Sequence, residues 1–184
     1  MSKALLLVDV INDFFAPQGS NYYPDYDQVL AAIQRLVTAA RKSGVPVIHA
    51  RESHRPGPDF EWLKLPQHCM ADTWNTLPPA GLDVREDDVV VFKRRYSAFF
   101  ATDLDLLLRE RGVRTLVVAG VKSNVCVRAT IQDAFALGYS VVLPREATGS
   151  NRPHLHAAAL EDIDRYMGRV VSVQEAEQIL EGDT

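Results

Sequence analysis

Short apolar runs bounded by polar and turn residues alternate along the chain with segments whose apolar positions recur every three or four residues. That alternation predicts buried parallel strands joined by amphipathic helices. The expected fold is a three-layer α/β/α sandwich on a mostly parallel sheet of about six strands. Strand-length runs fall at 4–10, 45–50, 89–92, 115–119, 140–143 and 169–173. A first helix, from about 27 to 42, carries Val29, Leu30, Ile33, Leu36, Val37 and Ala40 on one face, with Gly44 just past its end. Thr102 caps a second, which turns Leu104, Leu107 and Leu108 inward and stops near Gly112. A third runs from Ser123 or Asn124 to Gly138. Pro153 opens a fourth, carrying Leu155, Ala159, Leu160 and Ile163, and Ser172-Val173-Gln174-Glu175 reads as the capping box of the last.

One stretch, about 52–88, has neither period. It holds five prolines, Trp62, Trp74, His54 and His68. So long an irregular insertion in a compact domain is generally functional, and this one leaves the carboxyl end of a strand, where open α/β sheets bind ligands.

The 184 residues suit a single domain over 1–184, long enough to hold its core without a metal or disulfide. Twenty basic against 24 acidic residues give a net charge of −4, and no basic run exceeds Lys93-Arg94-Arg95. That excludes an electrostatic footprint for nucleic acid or anionic lipid. The first apolar run stops at Asp9 without a cleavage site, and no stretch is long enough to span a membrane. Two cysteines, Cys69 and Cys126, are too few for a secreted disulfide scaffold, so a reducing, cytoplasmic setting is expected.

Three strand ends on one edge of such a sheet carry ionisable groups: Asp9 and Asp13 after the first, Lys93 after the third, and Cys126 six residues beyond Gly120. Each alone reads as ordinary: a turn carboxylate, a surface ammonium, a small buried thiol. Together they form a nucleophilic set without histidine. A thiol in a first helical turn meets unpaired N–H groups that favour thiolate and can hold an oxyanion. A carboxylate would take its proton, and a lysine would offset the charge of two anions in one site.

The segments Leu7-Val8-Asp9-Val10-Ile11-Asn12-Asp13-Phe14, Phe92-Lys93-Arg94-Arg95-Tyr96-Ser97-Ala98-Phe99 and Gly120-Val121-Lys122-Ser123-Asn124-Val125-Cys126-Val127-Arg128-Ala129-Thr130 carry a family resemblance. In this order they resemble the three signatures of the isochorismatase-like cysteine hydrolases, whose members include nicotinamidases and N-carbamoylsarcosine amidases. The resemblance implies the isochorismatase-like, Rossmann-like α/β fold, a triad of Asp9, Lys93 and Cys126, and an oxyanion hole from the N–H groups of Lys122 and Cys126. It also implies a cis peptide between Val121 and Lys122, and dimers or tetramers. Isochorismatases that cleave a vinyl ether lack the cysteine, so Cys126 points to the amide-hydrolysing branch. The expected reaction is hydrolysis of a small carboxamide or carbamoyl compound through a thioester.

Glu52 and His54, two apart in an extended backbone, share a face, and His68 can close a metal site with them. Similar nicotinamidases hold zinc or iron through an Asp-x-His pair and a histidine matching His68; here Glu52 replaces the Asp. The alternative pairs Glu52 with Arg51 or Arg55 and leaves the histidines as polar loop residues. The triad chemistry itself needs no cofactor. Phe14, Trp62 and Tyr96 are candidates for the substrate pocket, although such aromatics also serve cores. Nicotinamidases stack a tryptophan on the pyridine ring just before the Pro-x-His-Cys segment; Leu65 stands there here. Cys69 reads as structural, His49 as satisfied at its strand end, and His154 and His156 as lying on a solvated helix face. Two other readings stay open: a family member whose substrate releases no ammonia, and a non-catalytic binding protein on the same scaffold. A phosphate-responsive receiver domain fails, because the third strand ends in Lys93 rather than an acceptor aspartate.

Overall fold

In the computed structural model, which describes residues 2–182, seven strands form one sheet: β1 (Ser2–Val8), β2 (Val47–Glu52), β3 (Val89–Lys93), β4 (Val113–Val121), β5 (Ser140–Pro144), β6 (Thr148–Gly149) and β7 (Arg169–Val171). All pair in parallel, in the order β3-β2-β1-β4-β5-β7, with β6 against the end of β4. The chain first builds outward from β1 to β3, then returns to the other side of β1 with β4. The carboxyl ends of β1 and β4 therefore flank the point where the winding reverses, the usual place for a site in an open α/β sheet.

Alternation along β1 sends Leu5 and Leu7 to one face and Ala4, Leu6 and Val8 to the other. The first face packs under α2 (Tyr26–Lys42) and α6 (Val173–Glu181), with Ile33, Leu36 and Leu180 buried. The second packs under α3 (Leu104–Glu110), α4 (Arg128–Ala136) and α5 (Pro153–Tyr166), through Leu108, Ile131 and Ile163. The short α1 (Asn12–Phe15) follows β1 and is buried throughout. No helix among the described residues is long and apolar enough to cross a membrane.

The expected α/β architecture is present, and the departures have local causes. β1 ends at Val8 rather than residue 10 because Asp9 adopts a left-handed φ of 54°. β2 runs on through the buried Arg51 and Glu52, which an apolar pattern cannot reveal. β7 stops at Val171 because Ser172 turns to cap α6, its side chain and that of Glu175 forming the expected capping box. The two-residue β6 is too short to leave a sequence period. The segment before α4 is a π-helical turn, Ser123–Val127. On α5, Leu155 is exposed rather than inward, and His156 is half-buried because its Nδ1 lies 2.9 Å from the buried Ser123 hydroxyl. His49 does find a partner, with Nε2 3.1 Å from the Asp88 carboxylate.

Gly120 sits opposite Val8 in the β1–β4 ladder with φ of 123°, and a Cβ there would lie 1.9 Å from the Val8 carbonyl oxygen. Gly120→Ala is therefore expected to destabilise the fold by roughly 3 kcal/mol or more, combining backbone strain with a clash that rigid β-backbone cannot relieve. Urea unfolding would show this as a lowered midpoint with little change in slope.

Candidate active site

Asp9, Lys93 and Cys126 come from three strand ends and meet at the β1–β4 crevice. Asp9 is fully buried, and its turn is held by a 2.8 Å bond from its N–H to the Ala50 carbonyl. Its Oδ1 accepts from the Glu52 N–H at 2.8 Å, and its Oδ2 lies 2.9 Å from the Lys93 ammonium without a directed hydrogen bond. That leaves Oδ2 with acceptor capacity on the side of the thiol. Lys93 is also fully buried, donates to the Arg95 carbonyl at 3.2 Å and lies 3.9 Å from Glu52 Oε2. One ligand atom each from Asp9, Glu52 and Cys126 lies within 4.8 Å of the others. The peptide between Val121 and Lys122, just before the cysteine turn, is cis.

Burial dominates the electrostatics here. It raises the Asp9 carboxyl to about 6, with Lys93 opposing and Glu52 adding to the rise. Burial alone would push the Lys93 ammonium down, but the surrounding Asp9, Cys126 and Glu52 together hold it well above its usual value. The Cys126 thiol is pushed well up by burial, against the opposing pull of Lys93 and with Asp9 and Glu52 adding to the rise. The thiolate favoured by its place before a helix is therefore not the resting form. Two neighbouring carboxylates and a dry environment override the helix end, and the proton rests on sulfur while Asp9 is ionised against Lys93.

The thiol opens on a pocket of about 340 Å³, with Phe14 and Tyr96 in its walls as expected. Trp62 is not among the lining residues. Its ring packs against His54 and His68, at 4.6 and 5.5 Å between centroids, and so backs the histidines. Leu65 and Gln67 take part in the lining instead. A wider cleft of about 560 Å³, lined by Arg51, Arg55, Arg94 and Arg95 among others, includes none of the three converging residues. Asp13, buried beside Asp9, accepts from Ser20, Asn21, Asn75 and the Cys69 thiol. These donors hold its carboxyl below the usual range although burial opposes them, so it organises the loop as a fixed anion. Cys69 is fully buried and its thiol is raised by burial, in keeping with a structural role.

Glu52 does not pair with Arg51 or Arg55. Its Oε1 lies 2.9 Å from His54 Nε2 and 3.0 Å from His68 Nε2, and Glu61, which the sequence did not single out, joins them. Donor atoms of Glu52, His54, Glu61 and His68 all lie within 4.8 Å of one another. The second nitrogens of the rings are engaged elsewhere, His54 Nδ1 with Asp59 Oδ2 at 3.1 Å and His68 Nδ1 with the Pro66 carbonyl at 2.8 Å. Such outer contacts fix the tautomer that leaves Nε2 free to ligate. Glu61 Oε1 is buried with no hydrogen-bond partner. Two imidazoles and two carboxylates, one of them with this orphaned oxygen, fit a divalent metal of the zinc or iron type. Glu61 lies in the aperiodic insertion, where the one available signal was an acid seven residues beyond His54.

The Isochorismatase domain model matches residues 3–175. The chain belongs to the isochorismatase family. It is 34% identical to the ureidoacrylate amidohydrolase RutB of Methylobacterium radiotolerans, over 96% of this chain and 78% of that protein. The crystal structure of an isochorismatase-like hydrolase from Alkaliphilus metalliredigens superposes with a TM-score of 0.92 at 32% identity, covering 97% of this chain and 99% of that one. The pyrazinamidase of Pyrococcus horikoshii, solved in complex with zinc, gives a TM-score of 0.85 at 28% identity, covering 94% and 99%.

The Lys93–Asp9 pair in this isochorismatase-family chain has no solvent to fall back on. Lys93→Met is expected to cost about 3–5 kcal/mol by stranding a buried carboxylate, whereas Lys93→Met combined with Asp9→Leu recovers much of that loss. Denaturant unfolding of the two variants beside the parent checks both.

Proposed function

We propose that the protein is a cysteine-dependent amidohydrolase of small carboxamides or carbamoyl compounds, with Asp9, Lys93 and Cys126 as its catalytic residues. The observation that carries the reading is the meeting of a buried acid, amine and thiol, with the thiol lining one pocket and the acid and amine buried behind it. Family membership and an amidohydrolase relative support it.

The chemistry follows from where each group sits. As substrate displaces water, the Cys126 proton passes to Asp9 and the sulfur attacks the carbonyl carbon. The N–H groups of Lys122 and Cys126 receive the developing oxyanion. Asp9 returns the proton to the departing nitrogen, the C–N bond breaks, and ammonia or an amine leaves a thioester on Cys126. Asp9 then takes a proton from a water that attacks the thioester, and the acid departs as the thiol regains that proton. Lys93 stays protonated throughout, keeping Asp9 available as a base and balancing the thiolate. Phe14 and Tyr96 flank the substrate.

A metal held by Glu52, His54, Glu61 and His68 would supply a Lewis-acidic position beside the thiol for orienting the substrate. Protein purified without a histidine tag or added metal is expected to carry about one zinc or iron per chain by elemental analysis. His54→Ala should lose both the ion and the melting-temperature drop that a chelator causes in the parent. Background metal content in the parent would overturn this assignment.

The activity is tested by ammonia release from nicotinamide, pyrazinamide, N-carbamoyl amino acids, biuret and simple aliphatic amides. Cys126→Ala is expected to lose at least about 10³-fold in kcat/KM while melting normally. Turnover that survives in the folded variant would sink the proposal.

A further inference from the structure

The wall of the pocket beside Cys126 carries a cation whose charge the proposed chemistry does not use. Lys122 contributes its backbone N–H to the oxyanion hole, but its side chain also lines the pocket, with Asn21 and Phe14. The ammonium lies 5.7 Å from the centre of the Phe14 ring and donates to Asn21 Oδ1 at 3.3 Å. It has no carboxylate partner among the described residues. Asn21 is itself held, since its amide nitrogen donates to Asp13 Oδ2 at 2.8 Å. Asp13 in turn is pinned by Ser20 and Asn75. An otherwise flexible lysine is thereby presented from a fixed amide, against an aromatic face that removes part of its water.

The pocket is polarised as a result. Glu52, Glu61 and His68 line it as one ionisable group, and the Lys122 ammonium, with N–H bonds to spare, is a separate one. A neutral amide such as a carboxamide on an aromatic ring makes no use of that ammonium. A substrate with an anionic group a few bonds from its reactive carbonyl would. Ser20 and Asn21 turn donors towards Asp13, and Lys122 is the one lysine or arginine among the lining residues, so the subsite presents one cation rather than an array. That suits a carboxylate better than a phosphate, which generally recruits several donors.

We propose that Lys122, positioned by Asn21, forms a carboxylate-binding subsite, so that the preferred substrates are amides or ureido compounds that are also carboxylic acids. This rests on the amidohydrolase reading and adds the substrate class to it. Lys122 acts here as a specificity residue. Its side chain, unlike its backbone, can be changed without removing an oxyanion donor.

The test compares 3-ureidopropanoate and N-carbamoylglycine with their methyl esters, which keep the ureido group and lose the charge. Calorimetry on Cys126→Ser protein reads binding without turnover, and kcat/KM on the parent reads catalysis. The acids are expected to be preferred over the esters by roughly 10- to 100-fold, the range of a charge-assisted hydrogen bond. Lys122→Met should collapse that ratio towards one, Lys122→Arg should keep most of it, and Asn21→Ala should lower it in part. A lysine that merely braces the loop would, on substitution, weaken acids and esters equally and leave the ratio intact, which overturns the subsite. So does parent protein that binds acid and ester alike, or binds neither acid. Cys126-dependent turnover of neutral amides without any preference for acids would sink the subsite and leave the amidohydrolase reading standing. Acid-selective binding with no Cys126-dependent turnover would do the reverse.

Discussion

The structure around the crevice depends on one ion pair closed off from water, Lys93 with Asp9 at 2.9 Å. Neither charge is tolerable there alone, since moving a single ion into such a place costs several kcal/mol. The pair dictates what surrounds it. The Glu52 amide and the Arg95 carbonyl each satisfy one member, so the ends of β2 and β3 are tied to the end of β1. Gly120 completes the arrangement by letting β4 approach Val8 where any side chain would collide.

The same burial explains why the thiol rests protonated. A free thiolate beside Asp9 and Glu52 would place three anions around one ammonium, and the dry setting magnifies that repulsion. In the proposed mechanism sulfur gives up its proton only as Asp9 accepts it, which keeps the charge near Lys93 constant through the transfer. The cluster of Glu52, His54, Glu61 and His68 continues this logic outward. Arg94 and Arg95 both reach Asp59, which also meets His54 Nδ1 and accepts from the Glu61 N–H, so the carboxylate behind the histidine is itself held by cations. The two histidines of the cluster are thus oriented from outside it, in an irregular segment that begins where β2 ends at Glu52.

Much of this was legible in the sequence wherever periodicity or a motif spoke. Apolar runs located six of the seven strands, Pro153 and the Ser172–Glu175 box marked helix starts, and three separate signatures placed Asp9 just after β1, Lys93 at the end of β3 and Cys126 in the turn after β4. What was illegible depended on tertiary closure. Glu61 enters the cluster through a 3₁₀ turn at Phe60–Leu63, which has no sequence period. Trp62, attractive as a pocket wall, is turned instead against the histidines. The elevation of the Cys126 thiol is a property of burial and of neighbours contributed by β1 and β2, while the local sequence showed only the helix that follows. Lys122 was visible as a motif residue, but its side-chain position depends on Asn21 and Asp13, a hundred residues earlier.

In the proposed mechanism Cys126 carries the acyl group while Asp9 shuttles the protons. Acid quenching during steady turnover of an amide, followed by mass spectrometry of the digested protein, tests it most directly. A mass increase equal to the acyl fragment is expected on the peptide containing Cys126, released by hydroxylamine and absent from Asp9→Asn protein. An acyl group on any other residue, or undiminished turnover after complete alkylation of Cys126, would contradict it.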